Sequence, residues 1–128
     1  MDEFMRIAID EARATKAEGG SPFGAALVRG GQVIGRGRNK MIQNNDPLSH
    51  GEMEAIKAAG LQDSYADTVL YTSAFPCLMC AGAIARYQIP RVIIGASWSH
   101  NDPSREFMQA HGIELVELRL TECYALVE

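Results

Sequence analysis

His50, Glu52, Cys77 and Cys80 are the residues of this 128-residue sequence whose types and spacing suit chemistry. Cys77 and Cys80 stand three apart at the start of a predicted helix, so both sulfurs can converge on one point, and a helix N-terminus favours thiolates. Pro76, just before them, suits the first helical position. His50 lies in the first turn of an earlier predicted helix and offers a third ligand. A His-Cys-Cys set leaves one tetrahedral position of a zinc ion open, as catalytic sites do, whereas structural zinc is usually closed by four side chains. The spare candidates for a fourth ligand, His100, His111 and Cys123, have no paired ligand spacing. Glu52, two residues beyond His50, points in another direction on its helix. It need not bind the metal and can instead carry a proton between water and substrate, which predicts metal-assisted hydrolysis.

Each piece alone also has a plainer explanation. Ser49-x-x-Glu52 matches a capping box at a helix start. A lone Cys-x-x-Cys occurs in redox pairs and as half of a structural zinc site. The two pieces together, at helix N-termini on the same end of a sheet, match the His-x-Glu and Pro-Cys-x-x-Cys signature of zinc deaminases. The predicted reaction is hydrolytic loss of ammonia from an amino-heterocycle.

The elements that must position these residues follow from periodicity. Met5, Ala8, Ile9 and Ala12 recur at helical spacing, giving a helix over residues 2–17 closed by Gly19-Gly20. Residues 23–29 and 32–38 read as two strands joined at Gly30-Gly31, a pair that tolerates a tight hairpin turn. A helix over 49–59 ends at Gly60, and a strand follows over 68–74. Helix and strand then alternate: helix 77–87, strand 91–97, helix 103–111 before Gly112, and strand 113–118. This pattern predicts a three-layer α/β/α sandwich around a mixed five-stranded sheet, with an antiparallel opening hairpin and the remaining strands parallel. Ligands are expected outside the carboxyl ends of those strands.

Composition narrows the partners. The length fits one domain over residues 1–128 with its own core. The acidic, charged start from Met1 to Arg6 and the lack of a long apolar run predict a soluble cytoplasmic protein without membrane association. Three cysteines, two of them paired as Cys-x-x-Cys, suit metal or redox chemistry better than a disulfide framework, and Cys123 reads as a small buried hydrophobe. A net charge of -4 supplies no basic footprint, so nucleic acid is disfavoured and a small substrate favoured.

The chain resembles the cytidine-deaminase-like superfamily along nearly its whole length. Pro22-Phe23-Gly24-Ala25, Arg38-Asn39 and Asn45-Asp46-Pro47 are similar to bacterial guanine deaminases and, more loosely, to tRNA adenosine deaminases. His50-Gly51-Glu52, Gly82-Ala83-Ile84, the run from Ile89 to Gly95 and that from Phe107 to Gly112 are similar to fungal-type cytosine deaminases. The resemblance implies that His50, Cys77 and Cys80 bind zinc and that Glu52 is the proton shuttle. It also implies that Asn39 hydrogen-bonds the base, with main-chain contacts from the Gly51 N–H and the Phe75 carbonyl, and that the enzyme is a homodimer or larger homo-oligomer.

Departures from the family pattern bear on the substrate. Phe75 stands where many relatives carry Glu or Ser, which removes a polar option near the site. Apart from the resemblance, Asn39 reads more readily as a loop asparagine closing a turn. His100 falls where fungal enzymes place an aromatic ring against the base, and stacking, hydrogen bonding and simple solvation are all open to it. Trp98 either lines the pocket or covers the sheet end. The segment with which fungal enzymes close the pocket has no counterpart before Glu128, so a more open pocket, a lid from a second subunit or a different ring is expected. The expected substrate is a free nucleobase, cytosine first, with guanine or another small cyclic amidine such as creatinine as alternatives. Editing of tRNA adenosine and a non-catalytic zinc module stand further off.

Overall fold

A computed structural model describes residues 2–128, and Met1, the first residue of the expected domain, lies outside them. The helices are α1 (Glu3–Ala17), α2 (Met41–Asn44), α3 (Gly51–Ala59), α4 (Leu78–Arg86), α5 (Asp102–Ala110) and α6 (Thr121–Leu126). The strands are β1 (Gly24–Arg29), β2 (Gln32–Arg38), β3 (Thr68–Thr72), β4 (Arg91–Ile94) and β5 (Glu114–Glu117). They form one sheet in the order β2-β1-β3-β4-β5. The pair β1–β2 is antiparallel, and β3, β4 and β5 run parallel to one another, as expected; β1 meets β3 antiparallel. The hairpin turns through Gly30 and Gly31, both at positive φ, where a side chain would be strained.

Alternation along the strands fills two cores. Leu27, Leu70, Val92 and Ile94 face α3, α4 and α5, burying Ala55, Ala81, Ile84 and Met108 against them. Their neighbours Ala26, Val28, Tyr71 and Ile93 face the other way, onto Met5, Ile9 and Ala12 of α1 and Cys123 and Leu126 of α6. A sheet covered on both faces needs apolar residues at successive positions, which is why the central strands read as continuous apolar runs. No helix among the described residues is long and apolar enough to cross a membrane.

Two close contacts fix where α3 sits. A Cβ on Gly35 would stand 2.2 Å from the Ala55 carbonyl oxygen, and one on Gly37 2.4 Å from the Ala55 nitrogen. The backbone of α3 therefore rests directly on β2, and any larger residue at these two positions would push α3, with His50 and Glu52, off the sheet.

Helix α6 is held from α1 by ions. Arg6 donates to both carboxylate oxygens of Glu122, at 2.6 and 3.0 Å, and Arg13 donates to the same group. These bonds, Arg6 first, hold the Glu122 carboxyl down at about 2 from an ordinary 4.5. A carboxyl depressed on folding contributes stability that is present above its unfolded value and is lost as pH falls through its folded one. The side chain is 28% exposed, so screening leaves roughly 1 kcal/mol. Glu122→Gln is expected to lower unfolding stability at pH 7 by that amount, with the gap to the parent narrowing by pH 3. Urea titrations at the two pH values check it.

Candidate active site

His50 is the N-cap of α3 and Cys77 the N-cap of α4, and neither side chain makes a capping bond. Pro76 therefore precedes the N-cap instead of occupying the first helical position, which is Leu78, a correction of two residues. The two helices start at the carboxyl ends of the sheet's parallel strands, the end expected to receive ligand. Their uncommitted caps face one another: His50 Nδ1 lies 3.4 Å from Cys77 Sγ and 3.4 Å from Cys80 Sγ. All three ligand atoms lie within 4.8 Å of one another. Zinc bonds of about 2.0 Å to nitrogen and 2.3 Å to sulfur, at a tetrahedral angle, put N and S about 3.5 Å apart. The donor set and its spacing fit zinc.

The electrostatics point the same way. The Cys77 thiol is brought down to about 5, mainly by a hydrogen bond from Cys80, with the backbone N–H groups of Cys80 and Met79 and the nearby His50 adding to it. Cys80 retains the shared proton and is pushed upward, both by that bond and by burial. One soft thiolate thus forms readily at the helix start.

Glu52 is 6% exposed beside this cluster without being part of it. Burial pushes its carboxyl up to about 7, against its own backbone hydrogen bond, and Cys77 adds to the rise. A group held there can accept and return protons near neutral pH, while an adjacent cation would favour its ionised form. The capping-box explanation fails: the Ser49 hydroxyl bonds Glu54 Oε1 at 2.8 Å, and Ser49 is not the N-cap.

Above these four residues lies a cavity of about 330 Å³, lined by Phe23, Asn39, Met41, His50, Glu52, Ala74, Phe75, Cys77, Leu78, Trp98, His100, Asn101, Pro103 and Ser104. Its size lies at the lower end for small-molecule pockets and suits a single heterocycle. Asn39 is 2% exposed. Its Oδ1 accepts the Met41 N–H at 3.1 Å, closing a turn, while its Nδ2 has no partner among the described residues. Gly51 supplies the first N–H of α3, which has no intrahelical acceptor. The Phe75 N–H donates to Ala96 at 2.9 Å, and its carbonyl accepts nothing among the described residues. The Phe75 ring is buried, with the Arg105 guanidinium 4.8 Å above it. Trp98 lines the cavity and carries the exposed His100 stacked on it, centroids 5.9 Å apart and planes at 11°.

Several lining residues carried no signal in the sequence. Phe23 stands in the Pro22-Phe23-Gly24-Ala25 run but without an assigned pocket role, and nothing there singles out Met41 or Leu78, yet Leu78 is 57% exposed at the pocket wall. Ser104 donates to the Pro76 carbonyl at 2.7 Å and so anchors the turn into Cys77. Asn101 accepts the Trp98 N–H at 2.6 Å; its place just before Asp102-Pro103, at a helix start, is the one clue to such a role.

Residues 1–96 match the family described as cytidine and deoxycytidylate deaminase zinc-binding region. The chain belongs to this deaminase family. The cytosine deaminase of Candida albicans is 34% identical over 126 residues, 96% of this chain and 83% of that protein. A tRNA-specific adenosine deaminase of Streptococcus pyogenes is 39% identical over 97 residues, 73% of this chain, and the match spans only 61% of that relative's length. A solved structure from work on A-to-I editing by tRNA:A34 deaminases superposes with a TM-score of 0.87 at 30% identity, covering 97% of this chain and 98% of the other. The guanine deaminase from Nitrosomonas europaea gives 0.82 at 25% identity, covering 96% and 80%. This zinc deaminase is therefore a hydrolase acting on C–N bonds, with His50, Cys77 and Cys80 as its possible metal site. The family is shared by enzymes named for bases and for tRNA, so the acidic balance does not by itself exclude nucleic acid.

Proposed function

We propose that the chain deaminates a free nucleobase, cytosine first, to uracil and ammonia. The observation that carries this is the burial of Glu52 beside the three-ligand cluster at the floor of a cavity sized for one ring. His50, Cys77 and Cys80 hold the zinc. When bound, it supplies Lewis acidity, which makes water a nucleophile near neutral pH. Glu52 takes a proton from the attacking water and delivers it to the ring nitrogen. Glu52 then takes the remaining proton from the added hydroxyl and gives it to the exocyclic amine, and the C–N bond breaks as the carbonyl forms, releasing ammonia. Asn39 Nδ2, the Gly51 N–H and the Phe75 carbonyl offer two donors and one acceptor to the ring edge, and Trp98 with His100 covers its face. A base lacking the matching groups leaves buried donors unpaired, which discriminates strongly.

Similarity over 96% of the chain to a cytosine deaminase favours cytosine. Guanine is the second reading, supported by the superposition on a guanine deaminase. Ammonia release from cytosine, guanine, adenine and creatinine separates them: cytosine is expected to give the highest kcat/KM by at least tenfold. Turnover of guanine alone would overturn the first choice, and turnover only of a tRNA anticodon stem would overturn both. The homodimer expected from the resemblance is part of this proposal and is read by light scattering.

A further inference from the structure

We infer that Tyr124 of α6 is a positioning residue for the substrate pocket, acting through Trp98. Its hydroxyl accepts the Ser97 N–H at 3.2 Å and donates to the Ser97 carbonyl at 3.0 Å, so one phenol holds both backbone groups of the residue before Trp98. Its ring meets the Trp98 indole edge-on, centroids 5.5 Å apart at 82°. Trp98 thus carries His100 stacked parallel to it, while the Tyr124 ring stands nearly perpendicular to it.

The same helix grips this segment at two further points. The Leu120 N–H donates to the Gly95 carbonyl at 2.7 Å, and Cys123 packs where a Cβ on Gly95 would stand, 2.4 Å from Sγ. Helix α6 is in turn tied to α1 by Glu122 and by Lys16, whose Nζ donates to the Leu126 carbonyl at 2.8 Å. Residues 95–98 are therefore held from outside the sheet, and the pocket wall is set by a six-residue helix that contributes nothing to the lining itself. Without the phenol hydroxyl, Ser97 loses both bonds, and the backbone that carries Trp98 is no longer pinned. Trp98 then samples several orientations, and a ring entering the pocket must re-order it.

The role in substrate binding rests on the proposed function, whereas the effect on Trp98 does not, and one experiment reads them separately. Trp98 is the single tryptophan, so its fluorescence reports this wall alone. Tyr124→Phe in the zinc-loaded protein is expected to speed local Trp98 anisotropy decay and to raise acrylamide quenching about twofold. With the base that is turned over, KM is expected to rise about five- to twentyfold while kcat stays within about twofold. Tyr65→Phe is the control: its hydroxyl is likewise bonded to a carbonyl, that of Gly60, outside the pocket, and it should change neither readout. Unchanged Trp98 dynamics in Tyr124→Phe would overturn the inference whatever the substrate, as would equal changes in Tyr65→Phe. If no base is turned over, the nucleobase reading fails, and the Trp98 readout still decides the role of Tyr124.

Discussion

Glu52→Gln is expected to reduce deamination by about 10²- to 10⁴-fold in kcat, the usual range for a positioned acid–base group, with KM changed little and zinc retained. Glutamine fills nearly the same volume but can neither accept nor deliver a proton. The structure adds a stability signature that separates this loss from unfolding. Burial disfavours the Glu52 carboxylate, holding the group near 7, so an uncharged replacement removes a cost of the folded state. With zinc stripped from both, the variant should melt no lower than the parent at pH 8, as thermal circular dichroism would show. A variant that is inactive and also strongly destabilised would point to a structural role for Glu52 instead.

Cys80→Ser carries the second large effect. Cys80 is fully buried in the first turn of α4 and shares its proton with Cys77, and a serine hydroxyl there stays protonated and is a poor ligand. Zinc is expected to fall to background by elemental analysis, and activity with it. Loss of a ligand that binds only the folded state should also lower Tm by about 10 °C. Cys123→Ser is the comparison. Its thiol is pushed up to about 11 by burial, and it packs on Gly95, away from the cluster. It should keep its zinc.

Much of this site was legible in the sequence because its residues are set by local rules. His50 and Cys77 sit at helix N-caps, and each helix start is marked by its own pattern and bounded by a glycine or proline. Once the strands alternate with helices, both starts fall at one end of the sheet. What was not legible depends on tertiary contacts. Helix α6 spans six residues, its N-cap is Leu120, and no side chain caps it, so neither length nor a capping signal announces it. It is a helix because Glu122 is held by α1 and Cys123 and Tyr124 dock on residues 95–97. Strand β4 was read to Ser97 but ends at Ile94. Beyond it the Gly95 and Ala96 carbonyls and both Ser97 backbone groups are taken by Leu120, Phe75 and Tyr124, so the apolar run continues while the strand does not. Short α2 and the 3-10 turn over Ser99–Asn101, of four and three residues, were missed because they are too short to show a helical period. The consequence falls on the substrate, since the residues that shape the pocket wall belong to these short elements.

Ammonia release measured against bound zinc per chain tests the central claim most directly, with parent, Glu52→Gln and Cys80→Ser prepared side by side. The parent should release ammonia in proportion to zinc, saturating at one ion per chain. Glu52→Gln should carry the same zinc and release almost none, and Cys80→Ser should carry none and release none. Full ammonia release from zinc-free protein, or from zinc-loaded Glu52→Gln, would contradict the account.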